Sequence, residues 1–328
     1  MIVIVLAKRS NIMKHFHSKS NTVILALIFA TVTPYCSCER LLKRKVTFSA
    51  TCSVHTQLDS PMPQTKGHST TAPPPITIWI HGSRLFPRTV YKSFFNNRPQ
   101  LKLARDLEAG YSLRQIADTF IARDPQQFSY ETFYLLGWSG KLSFTAREET
   151  AHELYKQLKK IYVEYKARYH ADPFIRIITH SHGGNVALNL VREKLKYDPH
   201  STLHIAQLIL LACPVQVKTQ KYLHDPMFEK VYALCSALDL IQILDPQGLY
   251  PSSKNTPLFS QRCFPNNKKL AQVKIQINNR AITHAEFVTP KFLYYLPNII
   301  QEINIWHVET PVSLEHNQRT RLLCVTTK

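Results

Sequence analysis

From residue 76 onward the chain alternates short, continuous apolar runs with stretches in which apolar positions recur every three or four residues. The runs at 76–80, 131–136, 174–179, 205–212, 231–238 and 273–277 have strand length and are rich in β-branched and aromatic residues, so they predict strands. Their apolar character is continuous rather than alternating, which requires cover on both faces of each strand. Strands of this kind separated by helices imply a mostly parallel central sheet with helices on both faces, an α/β fold. The best-marked helix lies between the second and third strands. Ala151, Leu154, Tyr155, Leu158, Ile161, Tyr162 and Tyr165 form one apolar stripe, while Glu153, Lys156, Lys159, Lys160 and Glu164 fall on the opposite side. Thr145, with Glu148 three residues on, predicts its start as a capping box. A second helix, 183–196, follows the strand at 174–179 with no intervening loop.

Upstream of residue 76 the pattern changes. Lys8, Arg9, Lys14 and Lys19 precede an apolar run at 22–32, followed by Pro34 and the small-residue cluster at 36–38. This order resembles a secretory signal peptide, and the run is about half of the ~20 residues a membrane-crossing helix needs. The resemblance implies an exported protein: periplasmic, membrane-associated or secreted. Ordinary cleavage near Cys38 and lipidation of Cys36 or Cys38 both stay open. The Ser-, Thr- and Pro-rich stretch that follows ends in three prolines at 73–75 and reads as an extended linker. The expected organisation is a signal peptide over 1–38, a linker over 39–75, a folded domain over 76–303 and a tail over 304–328.

Composition narrows the classes. With 44% hydrophobic residues in 328, the chain can bury a large core, which excludes disorder as its main state. Only 8 glycines and 7 scattered cysteines exclude a collagen-like repeat and a small disulfide scaffold. If the chain is exported and cleaved near Cys38, it keeps Cys52, Cys213, Cys235, Cys263 and Cys324, an odd number, and at least one thiol then stays unpaired within the chain. Cys213 and Cys235 lie in apolar runs and read as buried, inert thiols. The formal charge of +19 favours anionic partners. No zinc-finger spacing, RNP-like motif or basic amphipathic helix accompanies it, so the expectation is peripheral contact with an anionic membrane surface and no nucleic-acid partner.

The candidate chemistry sits where the third strand meets its helix. The stretch FIRIITHSHGGNVAL, 174–188, places Ser181 between a buried strand and an amphipathic helix, with Gly183 two residues after it and Thr179 two before. It resembles the nucleophile elbow of the α/β-hydrolase superfamily of serine lipases and esterases, although that pattern usually has glycine where Thr179 stands. Three further stretches follow the order of that superfamily. ITIWIHGS, 76–83, is a strand ending in His-Gly, where half of the oxyanion hole is expected; Asp239 ends the run VYALCSALD, 231–239; and His284 lies beyond the last predicted strand in RAITHAEF, 280–287. Each falls at the carboxyl end of a predicted parallel strand, where open α/β sheets place their ligands.

The resemblance covers residues 76–300 and implies the α/β-hydrolase fold with a catalytic triad of Ser181, Asp239 and His284. It also implies oxyanion donors in the backbone N–H groups of His182 and Ser83, and no metal or organic cofactor. The implied activity is cleavage of carboxylic esters, of small molecules or lipids, through a covalent acyl-enzyme; thioesters and amides stay open because the same constellation serves all acyl transfers. Since both donors belong to the backbone, the side chain of His182 is expected to be dispensable. The alternative is a non-catalytic protein of the same fold, acting at a surface or in an interaction.

Asp245, before a proline, and Asp225 are rival acids; His224, His307 and His316 are rival bases. His81 reads as a loop-holding residue, and a metal site on His180 and His182 would need further ligands that the following Gly-Gly-Asn lacks. The aromatic loop with Phe86, Tyr91, Phe94 and Phe95 reads as core, and 246–269 as a flap. The stretch LGWSGKLSF, 136–144, has no role derivable from sequence.

Overall fold

Strands that are apolar on both faces form only where two layers can cover them, and this is how the chain folds. The computed structural model describes residues 53–57, 73–83, 98–243, 245, 264–265, 267–309 and 320–326. The predicted signal peptide, the Phe86 to Phe95 loop and most of the expected flap lie outside the described residues. Among those described, ten strands form one sheet: β1 (Ser53–Gln57), β2 (Ile76–Ile80), β3 (Gln100–Leu103), β4 (Phe133–Gly137), β5 (Ile175–His180), β6 (Ile205–Leu211), β7 (Phe228–Cys235), β8 (Leu270–Ile277), β9 (Arg280–Ala281) and β10 (Thr320–Thr326). The long helices are α1 (Ser112–Arg123), α2 (Phe144–Tyr169), α3 (Gly183–Tyr197) and α4 (Pro290–Glu309). No helix of the described residues is long and apolar enough to cross a membrane.

The strand order is β1-β10-β8-β7-β6-β5-β2-β4-β3, with β9 paired to β8. All pairings are parallel except β3 with β4 and β9 with β8. Successive residues of each strand serve opposite layers. Ile76, Ile78 and Ile80 of β2 join Ile175, Ile177, Leu208 and Leu210 in a core beneath α2 and α3. Trp79, Ile178, Ile209 and Leu211 join the other, beneath α1 and α4. Each fully buried aliphatic or aromatic side chain contributes roughly 1.5–3 kcal/mol, so two continuous cores dominate the stability of the sheet. The class is therefore α/β, with a mostly parallel sheet covered on both faces.

All six predicted strands are present, but several boundaries differ. The seventh strand stops at Cys235 rather than running to 238, because the amide of Asp239 turns back to the carbonyl of Ser236 (3.2 Å). The cap of α2 is Ser143, whose hydroxyl accepts from the Ala146 amide (3.4 Å), so the expected Thr145–Glu148 capping box does not form there. The expected linker contains β1, the expected tail contains β10, and α4 continues to Glu309. Both extra strands are short and carry polar residues, and β10 finds its place only by inserting between β8 and β1, pairings remote in sequence.

The connections set the position of the site. From β2 the chain proceeds outward to the edge strand β3, turns back to β4 beside β2, then crosses to the other side of β2 as β5 and continues away through β6, β7 and β8. The carboxyl ends of β2 and β5 therefore flank the point at which the winding reverses, the usual crevice for a ligand in an open α/β sheet.

Candidate active site

Ser181 occupies that point. Its amide donates to the Leu211 carbonyl (2.8 Å), completing the ladder to β6, while its own carbonyl accepts from the Gly184 amide (3.0 Å), opening α3. One residue thus ends a strand and begins a helix, and it does so with φ of 52°, a left-handed conformation unfavourable for a residue with a Cβ. Strain of this kind persists only where the surroundings over-determine it, and it concentrates at functional sites.

Glycines make the turn fit. A Cβ on Gly183 would lie 2.5 Å from the Ile80 carbonyl oxygen and 2.7 Å from that of His81, so α3 can start only against the bare end of β2. A Cβ on Gly82 would lie 2.6 Å from Ser181 Cβ, which places the β2 end, and Ser83 after it, directly against the serine. Thr179 is fully buried and satisfies its hydroxyl on the Ile209 carbonyl (3.2 Å), which explains why threonine is tolerated two residues before Ser181.

Asp239 and His284, 45 residues apart in sequence, form a buried pair. His284 Nδ1 lies 3.0 and 2.9 Å from the two Asp239 carboxylate oxygens. Asp239 also accepts from the Gln242 amide (2.8 Å), acting as the cap of the single helical turn Leu240–Ile243, and Gln242 in turn donates to the Cys213 carbonyl (2.7 Å). His284 opens a short turn, His284–Val288, with Thr283 and Glu286 forming a reciprocal capping box, and the Ile282 amide donates to Ser236 Oγ (2.8 Å). The loops carrying Asp239 and His284 are therefore tied both to themselves and to each other. Nε2 of His284 is buried and has no hydrogen-bond partner among the described residues, Ser181 included.

The His284 ring lies against His180, the residue preceding Ser181, with centroids 4.6 Å apart, and His180 Nε2 is 3.1 Å from the His284 carbonyl oxygen. Burial, reinforced by the adjacent His284 imidazole, holds the His180 pKa well below the ordinary value. The neutral ring then carries its proton on Nε2 and donates it to that carbonyl. His182 is also pushed down by burial, against the opposing pull of its hydrogen bond to Asp245. Two histidines that stay neutral when folded but titrate normally when unfolded take up fewer protons in the native state as the pH drops. Stability is therefore expected to fall as the pH goes below about 6.5, by up to about 1.4 kcal/mol per pH unit for each histidine. Urea unfolding at pH 7.5 and 5.5 measures it, and His180→Gln should flatten the slope; equal stability at the two pH values would contradict it.

The rival residues have other partners. Asp245 faces His182 (3.4 Å to Nε2), Asp225 pairs with Lys194 (2.9 Å), and His224 lies near Asn267 (3.0 Å). The His307 side chain and His316 lie outside the described residues. His180 and His182 turn to different partners rather than converging, and no group of three or more His, Cys, Asp or Glu side chains suited to a metal occurs among the described residues. Cys213, Cys235 and Cys324 are buried, and burial pushes the Cys213 thiol up.

One positioning residue, Trp138, escaped sequence reasoning, whereas His81 holds its loop as expected. Trp138, from the stretch that had no derivable role, is fully buried. Its indole N–H donates to the His81 carbonyl (2.9 Å), its amide faces His81 Nε2 (3.4 Å), and its ring stacks on that imidazole. His81 closes the turn through Nδ1 to the Gly82 carbonyl (2.8 Å). The turn bearing Ser83 is thus held from β4, and a tryptophan right after a predicted strand was the available signal. Compared with known protein-family models and with curated proteins, the sequence matches none.

Proposed function

We propose that the protein is a serine hydrolase of the α/β-hydrolase superfamily that cleaves carboxylic esters through a covalent acyl-enzyme. The observation that carries this reading is the buried Asp239–His284 pair, whose Nε2 has no partner among the described residues, next to the strained turn at Ser181. The strand succession β4-β2-β5-β6-β7-β8, with the serine after β5, the acid after β7 and the histidine after β8, supports the same superfamily.

Each residue answers a charge that the reaction creates. Ser181 Oγ attacks the ester carbonyl while His284 Nε2 takes its proton; His284 then returns that proton to the leaving alcohol. Asp239 keeps the imidazole proton on Nδ1, leaving Nε2 as the base, and stabilises the imidazolium. The oxyanion receives the N–H of His182, at the start of α3 where amides have no intrahelical partner, and that of Ser83. Water repeats the sequence to release the acid. Leu238 and Leu240, 37% and 39% exposed on either side of buried Asp239, give the rim an apolar character suited to an acyl chain.

The rival, a non-catalytic protein of the same fold, draws on the absence of a hydrogen bond from Ser181 to His284. Catalytic hydrogen bonds are often loose before substrate binds, so the missing bond is compatible with the enzyme as well. A fluorophosphonate probe does. Labelling that maps to the peptide containing Ser181, with turnover of p-nitrophenyl esters of graded length, is the expected result. Folded protein that takes up no probe would end the enzymatic reading in favour of the binder.

A further inference from the structure

Beside the proposed triad lies a second, unassigned acid–imidazole pair. His182, the residue after the serine, is 5% exposed, and its Nε2 faces Asp245 (3.4 Å), itself 4% exposed. The other Asp245 oxygen accepts from Gln216 Nε2 (3.2 Å), and Gln216 Oε1 accepts from Arg147 (3.4 Å), which is fully buried. On the opposite edge of the imidazole, Asn185 Nδ2 is 3.5 Å from Nδ1, and Thr219 donates to Asn185 Oδ1 (2.5 Å). The ring is thus gripped at both nitrogens, and neither nitrogen is available to Ser181.

Such an arrangement is unfavourable for stability alone. Removing a carboxylate and a guanidinium from water costs several kcal/mol per ion before their attraction offsets it. Arg147 also sits in the first turn of α2, where the helix dipole disfavours a cation. A chain selected only for stability would fill this space with apolar side chains. What the network holds is the side chain of the residue whose own backbone N–H lies at the mouth of α3.

We infer that the Arg147–Gln216–Asp245–His182 chain is a positioning device for the oxyanion donor, with His182 a positioning residue that acts through its own backbone N–H. This rests on the serine-hydrolase reading above and departs from the expectation that the His182 side chain is dispensable. Only a donor aimed at the developing oxyanion accelerates the chemical step, so loosening it lowers the rate constant of bond formation without weakening prior binding.

The test uses the full chain and a fluorophosphonate, whose phosphonyl oxygen occupies the oxyanion position once Ser181 has reacted. His182→Ala is expected to lower kinact roughly 10- to 100-fold with KI held within about 3-fold, less than or equal to the loss on removing a donor outright. His182→Gln, whose amide N–H reaches toward Asp245, is expected to recover most of the loss. A folded His182→Ala protein reacting within about 3-fold of wild type would overturn the proposal, as would a loss that glutamine leaves unrecovered or one carried by KI. If His182→Ala does not fold, Asp245→Asn keeps the shape of the site and is read in the same way: a lower kinact at unchanged KI supports the network, an unchanged kinact overturns it. Failure of the underlying reading is seen separately, as wild-type protein that takes up no probe at all.

Discussion

Replacing Asp239 with asparagine is expected to lower acylation of Ser181 about 10⁴-fold while the fold survives. The carboxylate holds His284 Nδ1 through both oxygens, at 3.0 and 2.9 Å, and takes the Gln242 amide at 2.8 Å on one of them. Asparagine retaining its oxygen toward Gln242 must present its NH₂ to the imidazole, which then carries its proton on Nε2 and has no lone pair there for the serine. Steric fit is nearly unchanged, so the melting temperature should move little while the rate collapses. Asp245 cannot substitute, since its carboxylate is engaged by His182 and Gln216. Burst-phase kinetics with a p-nitrophenyl ester measure the effect, and a variant within tenfold of wild type would exclude Asp239 as the orienting acid.

Ser181→Gly is expected to separate function from stability. The nucleophile disappears, so probe labelling and acyl-enzyme formation should vanish altogether. The fold should nevertheless become more stable, because a left-handed φ of 52° costs a residue with a Cβ about 1–2 kcal/mol and costs glycine almost nothing. Glycine's larger conformational freedom in the unfolded chain returns part of this, leaving a net gain of up to about 1 kcal/mol, or roughly 2 °C in melting temperature. Differential scanning calorimetry reads the sign. A lower melting temperature would show that the turn is unstrained, and persistent labelling would place the nucleophile elsewhere.

Much of the fold was legible from hydrophobic periodicity because the central strands are covered on both faces, and continuous apolar runs announce that requirement locally. The peripheral strands were not. The four residues of β3, with alternating exposure, and the polar-edged β1 and β10 acquire strand character from their neighbours rather than from their own composition. The start of α2 was misplaced for a similar reason: Thr145 and Glu148 have the spacing of a capping box, but Ser143 lies two residues earlier and takes the cap, while the chain forms that motif instead at Thr283 and Glu286, next to His284.

By itself the sequence determined the α/β class and the abrupt strand-to-helix junction at Ser181 with Gly183 after it, because strand, turn and helix preferences are settled by residues close together in the chain. Through its resemblance to the α/β-hydrolase motif and order it also pointed to Ser181, Asp239 and His284, since motif and order along the chain are one-dimensional properties. Only the tertiary structure put Asp239, and not Asp245, against His284. Pairing an imidazole with a carboxylate 45 residues away depends on which loops the sheet brings together, and the same convergence gave Asp245 to His182, Trp138 to His81 and His180 to the His284 carbonyl. Those contacts arise from the order in which strands lie side by side, which no local pattern encodes.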